Sequence, residues 1–346
     1  MNFHLPPPKE RGIETPEAAI DGHFAGRLSE DLLWELKGWV ILPVAALAIA
    51  GLMAVLVALL RVPGAEAVLP WTTQTFFVKG LIAHVTFAFV IWYLGVQGAL
   101  TVLVTAATGP MTKGAAFVGR VGLSAAGLSF LLILTPVLLN LGEPSANNYI
   151  PVLIHPIFFA GLTLLALGLA LPVLRLLVQM AGERSCEPVV FAVAASGVIF
   201  LIALVCLAAA WWTMPAGIPA TDAAERAFWG MGHVMQFANT LLLLIGFYLL
   251  SRMSLGETPV SDRVFKLVAA ALVAGAAIGP LFYLSYPADD PSQINAFTDL
   301  YWYVLPVPAG VVLLGTALLF FRRARDLTNQ TPEVIGLWVA LLLFGV

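Results

Sequence analysis

Charge is scarce in this sequence. Asp, Glu, Lys and Arg make up only 11% of the 346 residues, while 60% are hydrophobic and the mean hydropathy is +0.94. A water-soluble domain carries roughly twice that charge fraction, so the shortage excludes an ordinary soluble protein. The formal net charge of −3 leaves no basic surplus, and nucleic acid is excluded as a partner. Cysteine is nearly missing. Cys186 lies in a polar loop and Cys206 in an apolar run, without CxxC spacing, which argues against a disulfide framework or a thiolate metal site. The N-terminus lacks an early apolar core: residues 1–37 are polar, Pro-containing and net acidic, so they are no secretory signal. Asp and Glu are missing from the middle of every long apolar run, which argues against a carboxylate-driven proton carrier. Walker, Gly-x-Ser-x-Gly and His-Glu-x-x-His patterns are missing too, removing nucleotide-driven, serine-hydrolase and zinc-protease chemistry.

What is present is a succession of apolar runs. A transmembrane helix needs roughly 20 apolar residues, and eight runs qualify: about 38–61, 73–106, 115–141, 149–179, 189–213, 225–252, 264–286 and 298–321. A ninth starts near Val334 and stops after 13 residues, too few to span; the expectation is an all-α polytopic membrane bundle that forms the N-terminal part of a longer protein. The organisation expected is a cytoplasmic tail, 1–37, followed by one bundle, 38–346. Residues 28–37 read as a short amphipathic helix with Leu28, Leu32, Leu33 and Leu36 on one face. Fourteen Lys and Arg fall on the side of the N-terminus and three on the other, which predicts a cytoplasmic N-terminus in the inner (plasma) membrane and even-numbered helices descending from the outer face.

Five histidines are present. His4 and His23 lie in the tail; His84, His155 and His233 fall on helices 2, 4 and 6. At a rise of about 1.5 Å per residue, the last three are expected roughly 10–16 Å below the outer boundary, in one depth band. An intramembrane ionisable group faces the bundle interior by default and marks function, and neutral imidazole is the commonest metal ligand. The alternative is that each ring bonds a neighbouring carbonyl and fixes packing, which for His155 is favoured by the bend signal of Pro156.

Two segments carry a family resemblance. FFVKGLIAHVTFAF, with Gly80 four residues before His84, and the Trp229, Gly232, His233 pattern in FWGMGH both resemble subunit I of the heme-copper oxygen reductases and nitric oxide reductases, such as cytochrome c oxidase subunit I. The resemblance implies that His84 ligates a low-spin heme and that His233 is a ligand of an active-site copper, with Trp229 lining the cofactor site one turn away. It implies a respiratory oxidoreductase that passes electrons from a donor such as cytochrome c or a cupredoxin at the outer face to oxygen or nitric oxide. The lipid bilayer and other respiratory-complex subunits would be its partners. The sequence also departs from that family. Phe237 stands where several branches have a tyrosine, and Ile294 and Asn295 stand where a histidine pair is expected, in a loop region that carries Asp289, Asp290 and Asp299. Met231 and Met235 neighbour His233 but face mostly elsewhere. The non-catalytic alternative is a heme-binding or assembly-type paralogue without a complete copper site.

Overall fold

The computed structural model describes residues 29–67, 69–108, 111–181, 186–323 and 332–344. His4, His23 and most of the tail lie outside the described residues. Among the described residues eight helices are long and apolar enough to cross a membrane: α1 (Glu30–Leu59), α2 (Thr73–Thr105), α3 (Lys113–Leu138), α4 (Pro156–Met180), α5 (Pro188–Thr213), α6 (Ala220–Leu255), α7 (Asp262–Phe282) and α8 (Pro291–Arg323). A thirteen-residue helix, α9 (Pro332–Phe344), follows and packs Trp338 against Phe320 of α8, with ring centroids 4.9 Å apart and the planes tilted by 47°. The architecture is the expected all-α polytopic bundle, with a small antiparallel hairpin, β1 (Glu143–Ser145) and β2 (Val152–Ile154), between α3 and α4.

Helix starts follow local chemistry. The side chains of Ser29, Thr72, Thr112, Ser261 and Asp290 each accept a backbone N–H in the first turn, satisfying donors that a helix leaves unpaired. Pro stands at the first positions of α4, α5 and α8, where its missing N–H costs nothing. Gly256 ends α6 in the left-handed conformation, φ 73°. α7 is interrupted at Ala277 and Ile278, just before Pro280, which cannot donate to the preceding turn.

Two expectations are corrected. Within the described residues, 30–37 form no separate amphipathic helix: Ser29 caps a single continuous helix from Glu30, and Leu28 lies outside the described residues. Its inward face also differs. Leu32 is buried and Leu33 is exposed, while Glu35 is 2% exposed, so a carboxylate occupies the core face. Helix 4 starts at Pro156 rather than near 149, because Val152–Ile154 extend into the hairpin and the backbone of His155 is still extended.

The buried carboxylate has a partner. Arg175 on α4 grips Glu35 through both guanidinium ends, at 2.7 and 2.9 Å, and Arg175 Nη1 also donates to the Ala115 carbonyl of α3. Gly119 makes room for this pair, since a Cβ there would lie 2.1 Å from Arg175 Nη1 and from Glu35 Oε2. The clasp binds three helices at the end of the bundle remote from the hairpin. α3 and α4 pack backbone to backbone at small residues: a Cβ on Gly168 would meet the Ala126 nitrogen at 2.8 Å. Close approach of this kind drives helix association where lipid removes the hydrophobic force. The outer surface carries bare apolar side chains such as Val178 at 75% and Trp212 at 92% exposure. Water would not tolerate such a surface, so lipid covers it.

Candidate functional site

α6 carries the sequence motif across the hairpin. His233 is its fourteenth residue, about 20 Å along the helix from Ala220. The ring is 2% exposed and faces the interior. Its Nδ1 lies 3.0 Å from the Trp229 carbonyl and its Nε2 lies 2.9 Å from the Tyr149 hydroxyl. A neutral imidazole has one donor and one acceptor nitrogen. The carbonyl can only accept, so Nδ1 donates and Nε2 accepts from the Tyr149 O–H. Tyr149 sits in the hairpin turn, outside the spans. Burial, with the nearby Tyr301 hydroxyl as a smaller cause, pushes its pKa up to about 12, so it stays a donor throughout the neutral range.

The glycine of the motif has a local reason. A Cβ on Gly232 would lie 2.2 Å from Cγ of Tyr149, so only glycine lets the tyrosine ring lie against α6. Gly230 does the same for α8, where a Cβ would meet the Phe297 ring at 2.6 Å. An aromatic box results. Tyr149, Trp229, Phe297 and Tyr301 place ring centroids 4.7, 4.9, 5.7 and 6.4 Å from the His233 ring. Tyr301 belongs to a π-helical segment of α8, Leu300–Val304, and a second π segment, Thr86–Ile91, interrupts α2. Such widened turns are frequent at functional sites. Here Thr86 uses the second one to donate to the Pro151 carbonyl of the hairpin, at 3.2 Å.

His84 is held differently. It is the twelfth residue of α2, about 16 Å along it, and its Nδ1 lies 2.9 Å from the Ala50 carbonyl of α1. Gly80, one turn earlier on the same face, admits α1 closely: a Cβ there would meet Val57 at 2.7 Å. His155 corrects the expected trio. It is the N-cap of α4, accepting the Ile157 N–H at 3.3 Å, so it sits at the helix mouth and not within the span. The cause is Pro156, which starts the helix after it. Histidines 84 and 233 are thus bound to different elements, α1 and the hairpin, and the common depth band reduces to two residues.

The two rings differ in fitness for a cofactor. A histidine ligand to iron characteristically donates its other ring N–H to a carbonyl, which fixes the tautomer and strengthens the ligating nitrogen. His84 meets this: Ala50 takes Nδ1–H, and Nε2 has no hydrogen-bond partner among the described residues. It therefore fits an axial heme ligand. The surroundings of His233 do not fit a copper ion. Both of its nitrogens are engaged, and first-row metals want several N, O or S donors. Among the described residues no three His, Cys, Asp or Glu side chains converge. Phe237 is fully buried, and Asp290 caps α8 through the Ser292 N–H.

Sequence reasoning missed Tyr149, because nothing local in NNYIP marks it as a partner of His233. It also missed Gln236 and Asn239 on α6, whose side-chain oxygens are buried without a hydrogen-bond partner among the described residues. Their spacing from His233 at i+3 and i+6 was the available signal. No protein-family model matches the chain. A protein of Aquifex aeolicus (strain VF5), described as uncharacterized, is 32% identical over 216 residues. That match covers 62% of this chain and 53% of the relative, so the chain spans about half the length of the curated relative it matches.

Proposed function

We propose that the chain is the membrane core of a subunit I-like respiratory redox protein in which His84 is an axial ligand of a low-spin heme. The observation that carries this reading is the 2.9 Å hydrogen bond from His84 Nδ1 to the Ala50 carbonyl, with Nε2 left available. Heme supplies reversible one-electron chemistry when bound. The chain's own residues orient the ligand: Ala50 holds the tautomer and Gly80 lets α1 close over α2. The resemblance of the α2 and α6 segments adds oxygen or nitric oxide as acceptor, cytochrome c or a cupredoxin as donor, and other respiratory subunits as partners. The excess of Lys and Arg on the N-terminal side supports an inner-membrane protein with a cytoplasmic N-terminus and the hairpin outside.

The second reading, a non-catalytic heme-binding or assembly-type paralogue, is favoured by one observation. Both nitrogens of His233 are already engaged, leaving no ligand for copper. Purified full-length protein separates the two. Reduced-minus-oxidised spectra should show a heme signal that His84→Ala abolishes; with oxygen or nitric oxide consumption the enzyme reading holds, and without consumption the paralogue reading holds. A protein without heme in the wild type refutes both.

A further inference from the structure

α2 and α6 are separated by a seam. Towards the hairpin it holds a half-open cavity of about 170 Å³, lined by Phe89 and Tyr93 of α2, Tyr149, and Met235, Gln236 and Asn239 of α6. Further along it holds a second cavity of about 420 Å³, lined by Trp92, Tyr93 and Val96 of α2, Gly246 and Phe247 of α6, and Gly336 of α9, among others. Tyr93 is a wall of both.

The two compartments differ in chemistry. In the first, Gln236 Oε1 and Asn239 Oδ1 are buried with no hydrogen-bond partner among the described residues. At i and i+3 they share a face, with about 5–6 Å between their Cβ atoms. An unpaired buried amide is costly, and hydrocarbon offers it nothing. The second compartment is lined by apolar and aromatic side chains, with the Trp92 N–H and the Tyr93 hydroxyl as the only polar side-chain groups of its wall, a lining that favours an apolar occupant over water. No Asp, Glu, Lys, Arg or His lines either one.

We propose that this seam binds one uncharged amphiphile drawn from the bilayer, with a hydroxyl-bearing head on Gln236 and Asn239 and an apolar chain along Trp92, Val96 and Gly246. The amides require a head that both donates and accepts hydrogen bonds. The lining requires it to be neutral, because a charge there would lie in a dry site without a counter-charge. The first cavity is smaller than a usual ligand pocket, which suits a head group and not a whole molecule. This proposal does not depend on heme at His84.

The test uses the full chain in lipid nanodiscs and a long-chain monoacylglycerol bearing a diazirine in its acyl chain. Photolabelling should concentrate on peptides of α2 and α6 around Tyr93 and Leu243, and unlabelled monoacylglycerol should compete while the corresponding fatty acid, charged at neutral pH, should not. Gln236→Leu with Asn239→Leu should weaken labelling about tenfold or more, as loss of two hydrogen bonds implies. Gly246→Phe should abolish it by filling the chain compartment; nothing lies within 4 Å of a Cβ at Gly246, so the first atom of a side chain is accommodated there, and a melting temperature like that of the wild type checks that the variant folds. Labelling spread over lipid-facing residues such as Val178 and Phe321, equal competition by the fatty acid, or indifference to Gly246→Phe would each overturn the proposal.

Discussion

Tyr149 and His233 are joined by a 2.9 Å hydrogen bond across 84 residues of sequence. The bond locks the hairpin turn onto α6 and satisfies Nε2 of the only histidine that is fully enclosed among the described residues, whose tautomer the Trp229 carbonyl sets. Tyr149→Phe leaves His233 Nε2 buried without a donor. The expected loss is about 1–3 kcal/mol of stability, read as a lower melting temperature in detergent. An unchanged melting temperature would mean that the tyrosine contributes packing alone.

The same hydroxyl predicts an alkaline limit. Its pKa lies near 12 in the folded chain and near 10 in an unfolded one. Between these values the folded state holds the proton more tightly, so the contribution is complete below pH about 10 and is lost as pH rises towards about 12. Thermal melts from pH 8 to 11 should fall on the alkaline side, and the fall should be shallower in Tyr149→Phe than in the wild type.

Gly232→Ala should be destructive although alanine is the better helix former. Its methyl group would lie 2.2 Å from the Tyr149 ring, and overpacking costs about 1–3 kcal/mol. In a Tyr149→Gly background the three nearest atoms, the Tyr149 Cβ among them, are gone and the clash is relieved. A double-mutant cycle should therefore show strong coupling between the two positions; simple additivity would disprove the contact.

Metal content gives an independent check on His233. Purified wild type and His233→Ala are expected to contain the same amount of copper, because the ring has no free nitrogen and, among the described residues, no group of three His, Cys, Asp or Glu side chains converges. Stoichiometric copper in the wild type that vanishes in the variant would show that Tyr149 gives way to a metal.

The Glu35–Arg175 clasp should show a characteristic asymmetry. Glu35→Ala alone strands a buried guanidinium and is expected to cost about 3–5 kcal/mol, whereas Glu35→Leu with Arg175→Met should be close to neutral. Unfolding of both variants in mixed detergent micelles distinguishes these outcomes. Equal losses would mean that the pair is solvated.

Sequence reasoning located all eight spans, but it placed the starts of helices 1 and 8, at about 38 and 298, well after the observed Glu30 and Pro291, because both helices begin in polar turns that hydropathy does not count. The start of helix 4 was misplaced because YIPVLI is as apolar as a helix, yet Pro156 and the pairing of Glu143 with Ile154 turn it into a strand. Apolar periodicity carries no sign of such pairing. His84 and His233 were found because an imidazole in an apolar run is conspicuous. Their partners were not found, because a backbone carbonyl such as that of Ala50 has no signature in side-chain chemistry.

The sequence by itself determined that this chain carries eight apolar runs long enough to span a membrane, and it placed three histidines at depth, of which the structure moves His155 to a helix mouth. Transfer into lipid is a local sum over about twenty residues, and a sum of that kind can be read in one dimension. Only the tertiary structure decided that Tyr149 answers His233, that Glu35 meets Arg175 from 140 residues away, and that α2 and α6 stand apart. Those outcomes depend on how far each helix is rotated and sunk against its neighbours, which is fixed by close packing at residues such as Gly119, Gly168 and Gly232.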